Sequence, residues 1–205
     1  DTGKLDSDAV WSPDGSKIAF VSGPGSGEEG QVFVVNADGT GLRQLTTAGS
    51  LYVPPEWSPD GNQLVFGTFG YVLYMVNVDG TDEQSLGAAH SSQPTWCPDG
   101  TLYFAGRSTD QDELGVYSVN APGDFEFVVK GSYPDCSPAG RLAFTSSNGD
   151  IHIVDPGEAG TRNLTASDGR WDSSATWSPD GTKITFTSTA NSPESTKVER
   201  KLTLS

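Results

Sequence analysis

Positive charge is scarce in this 205-residue sequence: 12 lysines and arginines stand against 27 aspartates and glutamates, a formal net charge of −15. Phosphate contacts need clustered Lys and Arg, so nucleic acid and anionic lipid are poor partners, whereas cations, metal ions and neutral sugars are acceptable ones. The 2 cysteines and 2 histidines show no metal-ligand spacing, which argues against a zinc or manganese centre. No apolar run reaches the length of a membrane span, so membrane insertion is not expected. Asp1 begins without a charged, apolar, small-residue leader, and the sequence reads as a mature chain or a trimmed one. The composition agrees with an extracytoplasmic all-β protein, periplasmic or secreted and bacterial in type.

What the sequence does have is a phrase repeated five times: Trp11-Ser-Pro-Asp-Gly15, Trp57-Ser-Pro-Asp-Gly61, Trp96-Cys-Pro-Asp-Gly100, Cys136-Ser-Pro-Ala-Gly140 and Trp177-Ser-Pro-Asp-Gly181. Successive copies start 46, 39, 40 and 41 residues apart, the length of one four-stranded β-propeller blade. Within the first copy, Val10-Trp11 ends an inner strand, Ser12 to Gly15 forms a tight turn, and Lys17–Val21 is the second strand. Gln31–Val35 and Leu42–Thr46 then supply the third and outermost strands. The whole of residues 1–205 is therefore expected to be a single propeller domain of five four-stranded blades. Each recurring residue has a scaffold role: Pro presets φ, Asp bonds nearby amides, Gly supplies positive φ, and Trp fills the wedge between blades.

The string from Trp11 to Phe20, followed by Val35 to Thr46, resembles the TolB-type WD-like β-propeller repeat, and the likeness runs through essentially the whole chain. The resemblance implies a disc with a central channel, used to dock partners or gate access. Such propellers usually have six or more blades, whereas five motifs are countable here. Because Asp1–Leu5 resembles the start of an outer strand, it is expected to complete the last blade and clasp a five-membered ring.

Catalytic motifs are mostly missing. A peptidase of the resembling group would need a Gly-x-Ser-x-Gly nucleophile elbow, and none occurs. Gly25–Gly30 matches Gly-x-Gly-x-x-Gly literally, but it lies between two strands and carries Glu28 and Glu29 where a pyrophosphate would be repelled. His152 is expected to face the surface from a third strand. Asn163-Leu-Thr165 is a weak glycosylation triplet.

The segments entering the inner strands converge on one face, where a ligand-binding mouth is expected from Tyr52, His90, Gln93, Tyr133 and Trp171. Asp6, Asp8 and Asp172 meet there if the first and fifth blades adjoin, and their carboxylates would suit calcium. Cys97 and Cys136 occupy neighbouring inner strands and form a disulfide if their Cα atoms come within about 7 Å; otherwise they are two buried thiols. The preferred function is a non-enzymatic, monomeric binding propeller that presents its channel face to a protein, peptide or glycan, with calcium as an optional ion and no required cofactor. The alternatives are a small carbohydrate-active enzyme or lyase using channel-mouth carboxylates and His90, or a spacer unit of a larger surface protein.

Overall fold

The computed structural model describes residues 4–24, 30–47, 51–87, 89–107, 114–155, 158, 160–166, 169–190 and 198–203; at 51, 52, 89, 90, 190 and 198–203 only the backbone is described. The first sheet contains β1 (Leu5–Trp11), β2 (Lys17–Gly23), β3 (Gln31–Asn36) and β4 (Arg43–Gln44). The second contains β5 (Leu51–Trp57), β6 (Gln63–Thr68), β7 (Leu73–Asn77) and β8 (Gln84–Ser85). In the third are β9 (Ala89–Trp96), β10 (Leu102–Arg107), β11 (Leu114–Ala121) and β12 (Asp124–Val129), and in the fourth β13 (Ser132–Cys136), β14 (Leu142–Thr145), β15 (Ile151–Val154) and β16 (Arg162–Asn163). The fifth has three described strands, β17 (Arg170–Trp177), β18 (Lys183–Ala190) and β19 (Val198–Thr203). All five are antiparallel meanders, each with the architecture of a propeller blade.

The repeated motif makes the same turn each time. Gly15, Gly61, Gly100, Gly140 and Gly181 donate to the carbonyls of Ser12, Ser58, Cys97, Ser137 and Ser178 at 2.8–2.9 Å. Gly15 and its four counterparts all have positive φ, which glycine adopts without steric cost. The motif aspartates close the turn from the side: Asp14 Oδ1 accepts from Ser12 Oγ at 2.7 Å and from the Ser16 amide at 3.0 Å, and Asp60 and Asp180 repeat the arrangement. These bonds to the ionised form hold Asp14 down at about 2, chiefly through the Ser16 amide and then the Ser12 hydroxyl.

Alternation along the second and third strands sends one set of side chains to the preceding blade and the other to the next. Ala19, Val32, Val34 and Leu45 of the first sheet pack on Trp57, Leu64, Phe66 and Val76 of the second. Val65, Leu73 and Leu86 meet Leu102, Phe104 and Tyr117 across the next interface, and Ala143, Ile151 and Ile153 meet Trp177, Ile184 and Phe186 across the last. Trp57 and Trp177, each 7 % exposed, act as the expected wedges. Trp11 departs from that pattern at 61 % exposed.

The difference follows from what stands beside each sheet. β1 packs beside β5, β5 beside β9, β9 beside β13 and β13 beside β17, but among the described residues no packing of that extent joins the fifth sheet to the first. The expected clasp is not seen. Leu5 pairs with Gly23 as part of β1, the inner strand of the first blade, and residues 1–3 lie outside the described residues. The fifth blade also differs on its far side, where Lys183, Thr185 and Thr187 of β18 alternate with the inward-facing Ile184 and Phe186.

Cys97 and Cys136 are joined in a disulfide, with Cα atoms 5.2 Å apart. Cys136 stands where the other motifs have Trp, so the third–fourth interface exchanges a wedge of aromatic area for a covalent tie. Closing a loop of 39 residues contributes about 4 kcal/mol by restricting the unfolded chain. His152 is half-buried rather than surface-facing: its Nδ1 lies 3.0 Å from Thr161 Oγ1 and its ring packs on Phe144.

Candidate functional site

Among the described residues, inner strands β1, β5, β9, β13 and β17 each pair on one side only, so their other edge carries backbone groups that need partners. The chain answers with polar contacts between blades. Trp57 Nε1 donates to the Val10 carbonyl at 3.2 Å, the Trp96 amide to Glu56 Oε1 at 3.1 Å, the Tyr133 amide to Gln93 Oε1 at 3.0 Å, and the Trp177 amide to Asp135 Oδ2 at 2.7 Å. Each bond joins one blade to the next.

All five inner strands also carry a register shift just before the motif. At four of them the residue three positions ahead of the motif is left-handed: Asp8 (φ 53), Gln93 (φ 52), Tyr133 (φ 54) and Ser174 (φ 55). The fifth counterpart is Pro54, whose ring forbids that conformation. A left-handed non-glycine residue inside a bulge bends the strand and re-aims its side chains. Sequence pattern gave no warning of these positions, because none is a glycine.

Between the second and third blades the inner strands leave a cavity of about 840 Å³. Val10, Val53, Pro54, Pro55 and Pro94 form its apolar walls, and Glu56, Tyr71, Ser92 and Gln93 add polar groups. Glu56 is partly buried, and desolvation, opposed by the Trp96 amide and aided by the negative charge of Asp135, raises its pKa from 4.5 to about 7. Burial likewise lifts Asp135 from 3.8 to about 6 against the Trp177 amide bond. Both carboxylates occupy the position immediately before the motif, where the other blades have Val10, Thr95 and Thr176. The signal in the sequence is an acidic residue preceded by proline, in Pro54-Pro55-Glu56 and Pro134-Asp135, at a position of the repeat that is not acidic in the other three blades.

The expected site residues separate into groups. Gln93 and Tyr133 are brought together by the amide bond above, and Gln93 lines the cavity. Trp171 is 46 % exposed and lies over Gly149, where an added Cβ would come within 2.6 Å of its ring. The side chains of Tyr52 and His90 lie outside the described residues. Asp6 and Asp8 are exposed on β1, whereas Asp172 is 2 % exposed on β17, its amide donating to the Gly149 carbonyl at 2.7 Å. Among the described residues no group of three or more His, Cys, Asp or Glu side chains is placed to hold a metal ion, so these three aspartates do not form one.

Sequence comparison matches residues 1–133 to the TolB beta propeller domain. The chain belongs to that family. A TolB homolog of Chlorobium luteolum is 32 % identical over 165 residues, covering 72 % of this chain and 36 % of its own length; the chain thus spans about a third of that relative. Among solved structures, a putative TolB from Agrobacterium tumefaciens superposes with a TM-score of 0.70 at 22 % identity, covering 98 % of this chain and 78 % of that one. An oligogalacturonate lyase from Vibrio parahaemolyticus reaches a TM-score of 0.71 at 14 % identity, over 99 % of this chain and 64 % of the other. At these identities the superpositions establish the TolB-like fold and leave the chemistry to this chain's own residues.

Proposed function

We propose that this TolB-family propeller is an extracytoplasmic binding module that takes an extended peptide segment of a protein partner into its inner-strand cavity. The observation that carries the reading is the cavity itself: proline and valine walls with Ser92 and Gln93 at hand suit a side chain and its flanking amides. A glycan would call for broad aromatic stacking, and among the described residues Tyr71 is the one aromatic side chain lining this wall. The disulfide supports an oxidising compartment. No resident metal is part of the proposal.

Panning immobilised protein against displayed random peptides, in parallel with a glycan panel, tests this. Peptides should be enriched, and Ser92→Trp, which fills the cavity, should abolish their binding at an unchanged melting temperature. Enrichment of glycans alone, or peptide binding indifferent to Ser92→Trp, would overturn it. A second reading, a small acid–base enzyme, draws on the raised pKa values of Glu56 and Asp135. It requires turnover of an oligosaccharide that vanishes in both Glu56→Gln and Asp135→Asn.

A further inference from the structure

Glu56 does more than its place in the architecture asks of it. Its structural task is to accept the Trp96 amide across the second–third interface, at 3.1 Å. At the next interface Gln93, two positions earlier in its repeat, ties the Tyr133 amide at 3.0 Å with an uncharged carboxamide, and at the last Asp135 accepts the Trp177 amide from the position equivalent to Glu56 but does not line the cavity. An amide side chain therefore suffices to tie two blades, and it avoids the desolvation cost that a carboxylate meets in a partly apolar wall. The first interface manages with no acidic group at all, since Trp57 reaches the Val10 carbonyl directly.

The charge is also uncompensated. Among the described residues Glu56 has the Trp96 amide as its hydrogen-bond partner and no cationic side chain paired with it, while the described ion pairs, Arg141 with Asp155 and Lys183 with Asp180, lie elsewhere. Among the described residues no hydrogen bond to oxygen Oε2 is seen, and it is not one of the buried side-chain atoms left without a partner. Glu56 lines the cavity, with Val53, Pro54, Pro55 and Pro94 around it. A carboxylate with a free oxygen at an open cavity, ringed by proline and valine, is complementary to a positive charge carried on an apolar stem.

We infer that the cavity recognises a basic side chain, the ammonium of lysine or the guanidinium of arginine, whose methylenes lie along the proline wall and whose charged head pairs with Glu56. This rests on the peptide-binding reading above and gives it a specificity. A bare divalent ion fits less well, because calcium asks for six to eight oxygens and no group of three or more acidic, histidine or cysteine side chains gathers at one point among the described residues. The charge of −15 on the whole chain draws cationic segments toward the surface before any contact forms. Pairing with a cation favours the ionised form of Glu56, so the pKa raised by desolvation and by Asp135 falls on binding, with proton release at neutral pH.

The test uses a blocked alanine pentapeptide with a central lysine and the same peptide with central norleucine, an uncharged side chain of similar reach. Each is titrated into the whole protein while backbone amide shifts of Trp96, Gln93 and Tyr133 are followed by NMR. The lysine peptide should shift these amides and bind at least tenfold more tightly than the norleucine peptide. Glu56→Gln, which keeps an acceptor for the Trp96 amide, should erase that preference while its spectrum stays folded; should the variant not fold, the two peptides on the wild type still decide. Equal binding of both peptides at these amides would overturn the cation site and leave the peptide reading standing. No shift with either peptide would overturn both. Butylammonium chloride binding as tightly as the lysine peptide would overturn the peptide as the source of the charge.

Discussion

Glu56 and the motif aspartates show how one residue type is driven in opposite directions by its surroundings. Asp14 sits in an exposed turn and accepts an amide and a hydroxyl, which favour its ionised form. Glu56 sits in an apolar wall with a like charge nearby, which favour its neutral form and outweigh the opposing Trp96 amide bond. Folding therefore makes Glu56 hold its proton more tightly between pH 4.5 and about 7. Stability from this group is fully present below that window and is lost as pH rises through it, by up to about 3 kcal/mol. Asp135 adds a loss of the same sign between 3.8 and about 6. Asp14 works the other way: its contribution is present above 3.8 and disappears as pH falls toward about 2. The melting temperature should accordingly peak near pH 4–5 and decline toward pH 8. In Glu56→Gln the decline should shrink and the melting temperature at pH 8 should rise. A pH profile of the variant parallel to the wild type would contradict the assignment.

At the scale of the element, the turn and the wedge were readable because both recur. Five copies of one phrase fix five identical hydrogen-bonded turns, and the wedge role of Trp57 and Trp177 follows from the area they bury. Trp11 shows what repetition cannot tell: the same letter in the same strand is 61 % exposed, because burial depends on the neighbouring sheet. Trp57→Ala should cost about 3–5 kcal/mol, whereas Trp11→Ala should cost less than about 1 kcal/mol; equal costs in denaturant titration would mean that another surface covers Trp11. The inner strands hid more. Their left-handed bulge residues, Gln93 and Tyr133 among them, carry no sequence mark, and Glu56 and Asp135 stand at a position occupied in the other blades by Val10, Thr95 and Thr176. The channel-mouth expectation named Gln93 and Tyr133, which a hydrogen bond brings together, and did not name the carboxylates that stand immediately before the motif.

For the whole molecule, the blades are legible in the sequence and their closure is not. Ring closure depends on the angle accumulated over successive interfaces, which no single repeat encodes. The third–fourth interface is a separate matter, since Cys97–Cys136 replaces a Trp wedge by a covalent link. Cys97→Ser with Cys136→Ser, measured under oxidising conditions, should lose about 4 kcal/mol; an unchanged denaturation midpoint would show that packing of Leu142 and Phe144 already secures that interface. Asp6, Asp8 and Asp172 do not gather into a metal-binding group, so millimolar calcium added to chelator-stripped protein should leave the melting temperature unchanged. A rise of several degrees would reveal a preferential ion site on the folded chain.

The central claim is that the molecule works through its inner-strand cavity, and an amide-shift map of the protein with a peptide selected by panning tests it most directly. The account predicts shifts concentrated at Val53, Glu56, Ser92, Gln93 and Tyr133. Shifts concentrated on the outer strands β4, β8, β12 and β16, or around Trp11, would contradict it.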